Sequence, residues 1–181
     1  MNEAGSALAA RAAVVEDFAR SELFDRTFRE GMDLVETAAT YLDGPGRQES
    51  KLLSRNAALA YASESMRLTT RLMQVASWLL VQRAVREGDM SPMDACDTRY
   101  RIGPKPAPRR TERREAATDD GRHNEPLPAG LMDLMERSDR IYDRISHLDR
   151  RMYVEGEIED RPNAVLSQFE RLRAAFDGPQ I

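Results

Sequence analysis

The sequence predicts an all-α protein: an antiparallel three-helix bundle with a short accessory helix, a disordered linker and flexible termini. Three observations carry this. Apolar residues recur at three- and four-residue steps in three long segments, the spacing of an amphipathic helix. Glycine and proline are gathered in a few places rather than spread throughout. Aromatic residues make up only 6% of the 181 positions, which argues against a sheet.

The first firm helix is predicted over 21–42. Phe24, Phe28, Met32, Val35, Ala38 and Leu42 give it one apolar face, and Ser21 is a suitable N-cap. Residues 1–17 ahead of it, an alanine-rich stretch broken up by Glu3, Arg11, Glu16 and Asp17, read as a mobile arm. Gly31 falls inside the helical pattern, where it costs about 1 kcal/mol relative to alanine. Either another helix passes close by there, which is the preferred reading, or the helix is weakened. Asp43-Gly44-Pro45-Gly46 then ends the helix.

The central helix is predicted over 54–87, with Ser54 as its cap and Gly88 closing it. At about 1.5 Å per residue it is roughly 50 Å long. Leu59, Met66, Met73 and Leu80 form one apolar row, Tyr61, Leu68 and Val75 a second, and Leu72 with Leu79 a third. The combined stripe is wider than one partner helix needs, so contact with several helices is expected. Glu64, Arg67, Arg71 and Gln74 make the opposite, polar side, and Ser63, Thr70, Ser77 and Ala84 form a row of small residues.

Ser91-Pro92-Met93-Asp94 reads as the start of a short accessory helix ending near Arg101: serine as cap, proline at the first position, an acid at the third. Residues 103–130 are punctuated by five prolines around a polar tract and are predicted to be a disordered linker, since they bury too little to offset their ordering entropy. The third long helix is predicted over 131–153, where Leu131, Leu134, Ser138, Ile141, Ile145, Leu148 and Met152 form a packing seam. The helical domain thus spans 18–155. Residues 156–181 are a flexible tail carrying an amphipathic segment, with Leu166, Phe169, Leu172 and Phe176 on it.

Composition bounds the function. A formal charge of −4 gives no overall basic field to draw the chain onto nucleic acid. The single cysteine, Cys96, excludes an internal disulfide and fits a reducing compartment. The N-terminus lacks the pattern of a signal peptide, and the longest apolar run, Val75 to Val81, is interrupted by Ser77 and too short to span a bilayer. A cytoplasmic protein with no membrane contact is expected.

No catalytic constellation emerges, so no enzyme activity, cofactor or metal is predicted. His123, His147 and Cys96 lack metal-ligand spacing. Ser63 and Ser65 have no flanking glycines of a nucleophile elbow. Gly44 and Gly46 flank a proline that removes an amide a phosphate cradle needs. Two alternatives stay open. A histidine phosphotransfer module would use His147, which reads more simply as a surface histidine. A small DNA-binding regulator would use the arginines of residues 99–114, but Glu112, Glu115, Asp119 and Asp120 interleave with or follow them.

Trp78 shares a heptad column with Glu64 and Arg71, on the side read as polar. It marks either an interface or a place where a neighbouring segment folds over it. With the over-wide stripe this predicts a homodimer, and Trp78, Tyr61 and Leu68 are its candidate interface residues.

Three stretches carry a family resemblance: Phe28 to Val35, Tyr41 to Arg47, and the run Ala58 to Ala84 with Tyr-Ala-Ser-Glu-Ser-Met-Arg-Leu-Thr-Thr-Arg-Leu-Met at its centre. These, together with Arg140 to Ile145 and 163–176, resemble the alphaproteobacterial regulator of CtrA degradation (RcdA) family. The resemblance implies a three-helix bundle that dimerises and an adaptor, without catalytic residues, for the protease ClpXP. Such adaptors help deliver cell-cycle regulators, CtrA among them, together with a cyclic-di-GMP-binding co-adaptor. The resemblance also implies a C-terminal tail that contacts partners, for which Phe169, Leu172 and Phe176 are the candidate residues. The sequence identifies neither the cargo nor the residues that touch ClpX.

Overall fold

A computed structural model describes residues 3–106 and 126–153, all of whose regular structure is helical. The elements are α1 (Glu3–Ala19), α2 (Glu22–Asp43), α3 (Pro45–Ser50), α4 (Arg55–Glu87), α5 (Pro92–Ala95), a 3-10 turn (Thr98–Tyr100) and α6 (Ala129–Tyr153). The body of the expected linker and the whole tail, with Phe169, Leu172 and Phe176, lie outside the described residues.

Local chemistry sets the helix ends. Ser21 Oγ accepts from the Phe24 amide at 3.1 Å, and Ser54 Oγ from Ala57 at 3.4 Å. Ser91 Oγ accepts from Asp94 at 3.0 Å, with Pro92 at the first helical position of α5. Gly88 ends α4 at φ 83°, left-handed backbone that favours glycine. The turn after α2 starts a new helix at once, because Pro45 cannot extend α2 yet suits the first position of α3.

Helices α2, α4 and α6 form the bundle. Asp25 pairs with Arg86, and Tyr61 lies beside Gly46, so α2 and α4 are antiparallel. Glu30 pairs with Arg144 at 3.0 Å and Tyr41 lies against Gly130, so α2 and α6 are antiparallel too. Arg71 meets Ser138, Trp78 meets Asp149 and Gln82 meets Tyr153, so α4 and α6 run the same way. Gly31 marks the closest approach: a Cβ there would sit 2.5 Å from Leu79 Cδ1 and 3.4 Å from Ile141 Cδ1. A close helix crossing, not a weakened helix, explains this glycine. The expected seam of α6 is in the core, with Leu131, Leu134, Ser138, Ile141, Ile145 and Met152 buried.

The expected mobile arm is corrected. Residues 3–19 are helix α1, which packs mainly on α4 and α5. Val15 and Ala19 are buried, and the Phe18 ring lies 5.8 Å from Phe24 and 5.7 Å from Trp78. Alanine-rich sequence forms helix readily, and one apolar turn (Val15, Phe18, Ala19) is enough to anchor it. Ser21 joins the two helices, donating to the Phe18 carbonyl at 2.7 Å while capping α2.

Residues 101–106 run back along α6 as an extended strap. Arg101 Nη2 meets Asp149 Oδ2 at 2.8 Å, Tyr142 Oη donates to the Gly103 carbonyl at 2.5 Å, and Gln74 Nε2 to the Pro104 carbonyl at 3.1 Å. Lys105 Nζ then pairs with Asp139 at 2.8 Å and Asp143 at 3.0 Å. The expected disorder therefore does not hold for residues 103–105, where the Gly103 and Pro104 carbonyls and the Lys105 ammonium are bound. It fails again at the other end, where α6 begins at Ala129.

Candidate functional site

The central helix α4 organises the bundle, but turned differently from the sequence expectation. In the column Glu64, Arg71, Trp78, expected to face outward, Arg71 and Trp78 face α6. Arg71 is buried: Nη1 donates to Ser138 Oγ at 2.6 Å and to the Met135 carbonyl at 3.3 Å, and Nη2 pairs with Asp139 at 3.1 Å, while Nε has no hydrogen-bond partner among the described residues. Trp78 is 1% exposed. Its Nε1–H donates to Asp149 Oδ1 at 3.0 Å, and Asp149 also takes Arg101 Nε at 2.9 Å and the Ile102 amide at 3.5 Å. A buried carboxylate is tolerated here because a guanidinium and an indole N–H both bond to it.

The candidate interface residues are therefore core residues. Trp78 is covered by Phe18 of α1, Leu68 is fully buried, and Tyr61 is buried under α3. Of the two readings of Trp78, a neighbouring segment folding over it is the one realised. The covering segment is the N-terminal helix that sequence patterning read as an arm.

The surface instead presents the first apolar row. Leu59, Met66, Met73 and Leu80 are 65, 56, 65 and 52% exposed. Between Ala57 and Gln82 the exposed residues are Leu59, Ala60, Ala62, Met66, Thr69, Thr70, Met73, Ser77 and Leu80, none of them charged. In a chain that is 32% charged, an uncharged exposed face along more than twenty helical residues is unusual. The nearest charges, Glu64 and Arg67, pair with each other beside it. The hydroxyls of Thr69 and Thr70 donate to the Ser65 and Met66 carbonyls at 2.9 Å each, so both are satisfied within the helix.

Other features are modest. Asp33, Glu36, Thr37, Thr40, Tyr41 and Pro45 line a shallow groove. Its Tyr41 donates to Glu49 Oε2 at 2.6 Å, and burial, then that bond, raises the phenol's pKa. Burial pushes the Cys96 thiol up, away from the reactive thiolate, and Sγ donates to the Pro92 carbonyl at 3.3 Å. His147 is exposed on α6. Arg99 pairs with Asp97 and Arg101 with Asp149, while 107–114 lie outside the described residues. Among the described residues no group of three His, Cys, Asp or Glu side chains is placed to hold a metal ion, and no helix is long and apolar enough to cross a membrane.

Comparison with known proteins agrees with the family resemblance. No curated protein matches the chain. A crystal structure of RcdA from Caulobacter crescentus CB15 is similar at 62% identity and a TM-score of 0.60, covering 77% of this chain and 98% of that one. The profile of a family described as a protein of unknown function (DUF1465) matches residues 15–176, from the buried turn of α1 to the end of the predicted tail segment. The chain belongs to this DUF1465 family and is an RcdA-type protein.

Proposed function

We propose that this protein is a non-enzymatic, homodimeric cytoplasmic adaptor. It promotes proteolysis of cell-cycle regulators by ClpXP through protein–protein contacts, together with co-adaptors. The observation that carries the reading is its 62% identity to RcdA over nearly that whole chain, read with what the RcdA resemblance implies. The exposed uncharged face of α4 supports it, because such a face on a folded bundle suits docking of another helix. The mechanism is effective concentration: a rigid body holds one component while the tail, through Phe169, Leu172 and Phe176, engages another.

The test is a reconstituted degradation assay with ClpXP, the co-adaptor components and a CtrA-type substrate. Adding this protein accelerates substrate loss if the reading is right, and no acceleration overturns it. Truncation after Gly156 leaves the bundle folded and slows delivery. Unchanged delivery would remove the tail from the mechanism.

A further inference from the structure

Helices α4 and α6 hold the strap residue by residue. Asp149 Oδ2 takes the Arg101 guanidinium at 2.8 Å, and that guanidinium lies 4.7 Å from the centre of the Tyr153 ring. The Ile102 amide donates to Asp149 Oδ1 at 3.5 Å, and its side chain packs on the core. Gly103 passes so close to α4 that a Cβ there would sit 2.9 Å from Gln74 Nε2, while its carbonyl accepts from Tyr142 at 2.5 Å. The Pro104 carbonyl accepts from Gln74 at 3.1 Å. Lys105 enters between Asp139 and Asp143, 5.7 Å from the centre of the Tyr142 ring. We infer that the groove between α4 and α6 is a peptide-binding site, and that the strap is its resident occupant. Its ligand is an extended segment of another protein with the pattern cation-aliphatic-Gly-Pro-cation, which binds by displacing the strap. The inference goes beyond the adaptor reading and does not rest on it.

Three observations favour such a ligand. First, charge sets its ends. Asp139, Asp143 and Asp149 face the groove; Arg71 pairs with Asp139, and Arg101 and Lys105 supply the remaining two cations. Without the strap the groove keeps an excess of negative charge and draws a basic segment. Second, spacing sets its conformation. The two cations of an extended chain, four residues apart, are about 13 Å from one another. Asp149 lies about 9 Å along α6 from Asp143 and about 15 Å from Asp139. A helical ligand would bring its cations within about 6 Å along its axis and could not reach both ends. Third, the strap is held in a way that permits exchange. Two of its main-chain carbonyls are bound, groups that any extended chain presents, and Ile102 alone adds an aliphatic side chain to the core. Asp139 and Asp143 are 40 and 64% exposed, so their pairs with Lys105 contribute little. Trp78 keeps Asp149 when the strap leaves, and α6 begins only at Ala129, so departure need not move it.

The test uses the full chain and a fluorescein-labelled peptide, Tyr-Arg-Ile-Gly-Pro-Lys-Pro, which has the sequence of residues 100–106. In the natural protein the tethered strap competes at an effective concentration on the order of millimolar, so the peptide should bind weakly. The variant Arg101→Ala, Lys105→Ala weakens the strap and leaves every groove residue in place. By fluorescence anisotropy it should bind the peptide at least about tenfold more tightly than the natural protein does. Lys105→Glu, a change at an exposed position, should act in the same direction and serves should the double variant fail to fold. Adding Asp139→Asn and Asp143→Asn to either variant should remove most of the gain, as should alanine in place of the peptide's glycine. No binding at about 1 mM to a strap variant with natural helical circular dichroism overturns the proposal. Equal affinity for the natural protein and the strap variants places the peptide elsewhere and also overturns it. Binding that survives the two Asp→Asn changes does the same. None of these readouts involves proteolysis, so the peptide site and the adaptor reading fail independently.

Discussion

Trp78 and Asp149 are joined by a 3.0 Å hydrogen bond inside the bundle, from the indole Nε1–H to the Oδ1 carboxylate oxygen. The bond ties α4 to α6. The same carboxylate receives Arg101 of the strap, so one acid holds three segments. Asp149→Ala leaves a buried indole N–H and a half-buried guanidinium without their acceptor and should destabilise the protein by about 2–4 kcal/mol. Asp149→Asn keeps an acceptor for Trp78 but not the charge for Arg101, and should cost about half as much. Urea denaturation followed by fluorescence measures both, since Trp78 is the single tryptophan.

Arg71 tests whether its charge or its volume matters in the core. Arg71→Ala empties a buried site and leaves Ser138 without its 2.6 Å donor, which should cost about 2–4 kcal/mol. Arg71→Met fills most of the space, and Asp139, partly exposed, stays hydrated and keeps Lys105. The methionine variant should lie within about 1 kcal/mol of the natural protein. Equal losses in the two variants would show that the guanidinium's bonds, not packing, hold this site.

These two residues mark the limit of what sequence patterning could read. The helices themselves were legible: Ser21, Ser54, Ser91 and Gly88 announced their ends, and the seam of α6 was correct through Met152. The rotation of α4 was not. That helix has three apolar rows, and spacing alone left open which row stays outside. A column carrying Arg71 and Trp78 looked external because its partners, Ser138, Asp139 and Asp149, lie more than sixty residues away. Helix α1 was missed because alanine adds little to an apolar pattern, and a single turn around Phe18 provides its anchor. For the same reason the interface residues read from Tyr61, Leu68 and Trp78 are core residues, while the row Leu59, Met66, Met73 and Leu80 is the exposed one.

The strap should come loose without the bundle unfolding. Tyr142→Phe removes the hydroxyl that donates to the Gly103 carbonyl, and Gln74→Ala removes the donor to Pro104. Each bond is worth about 1 kcal/mol. The double variant should be cut faster by trypsin after Arg101, with a loss of global stability of at most about 2 kcal/mol. Unchanged cleavage would show that the ion pairs of Arg101 and Lys105 suffice.

Alkaline pH should weaken the fold. The Tyr153 phenol, which donates to the Ala95 carbonyl at 3.2 Å, is pushed up to about 12, chiefly by burial. A folded pKa above the unfolded value means that the protonated group stabilises the fold. That contribution is complete below the phenol's ordinary value of about 10 and disappears as pH rises through about 12. Tyr41 and Tyr142 are raised in the same direction, again mainly by burial. Unfolding free energy should fall by on the order of 2 kcal/mol through Tyr153 between about pH 9 and pH 12. In Tyr153→Phe the decline should be shallower, which urea titrations across that range would measure.

Salt tests whether the homodimer proposed above uses the exposed face of α4. Ion pairs at an exposed interface weaken as the Debye length shrinks from about 10 Å at 0.1 M to about 3 Å at 1 M. The exposed residues between Ala57 and Gln82 have no charge to screen, and Glu64 and Arg67 beside them already neutralise each other. Dimerisation through this face should therefore change by less than about threefold between 0.1 M and 1 M salt. Apolar burial would instead give it a negative heat-capacity change. Sedimentation equilibrium at the two salt concentrations measures the first quantity, and dilution calorimetry at several temperatures the second. A dimer that dissociates steeply with salt would be held by the charged faces of α2 or α6, and the uncharged row would need another occupant.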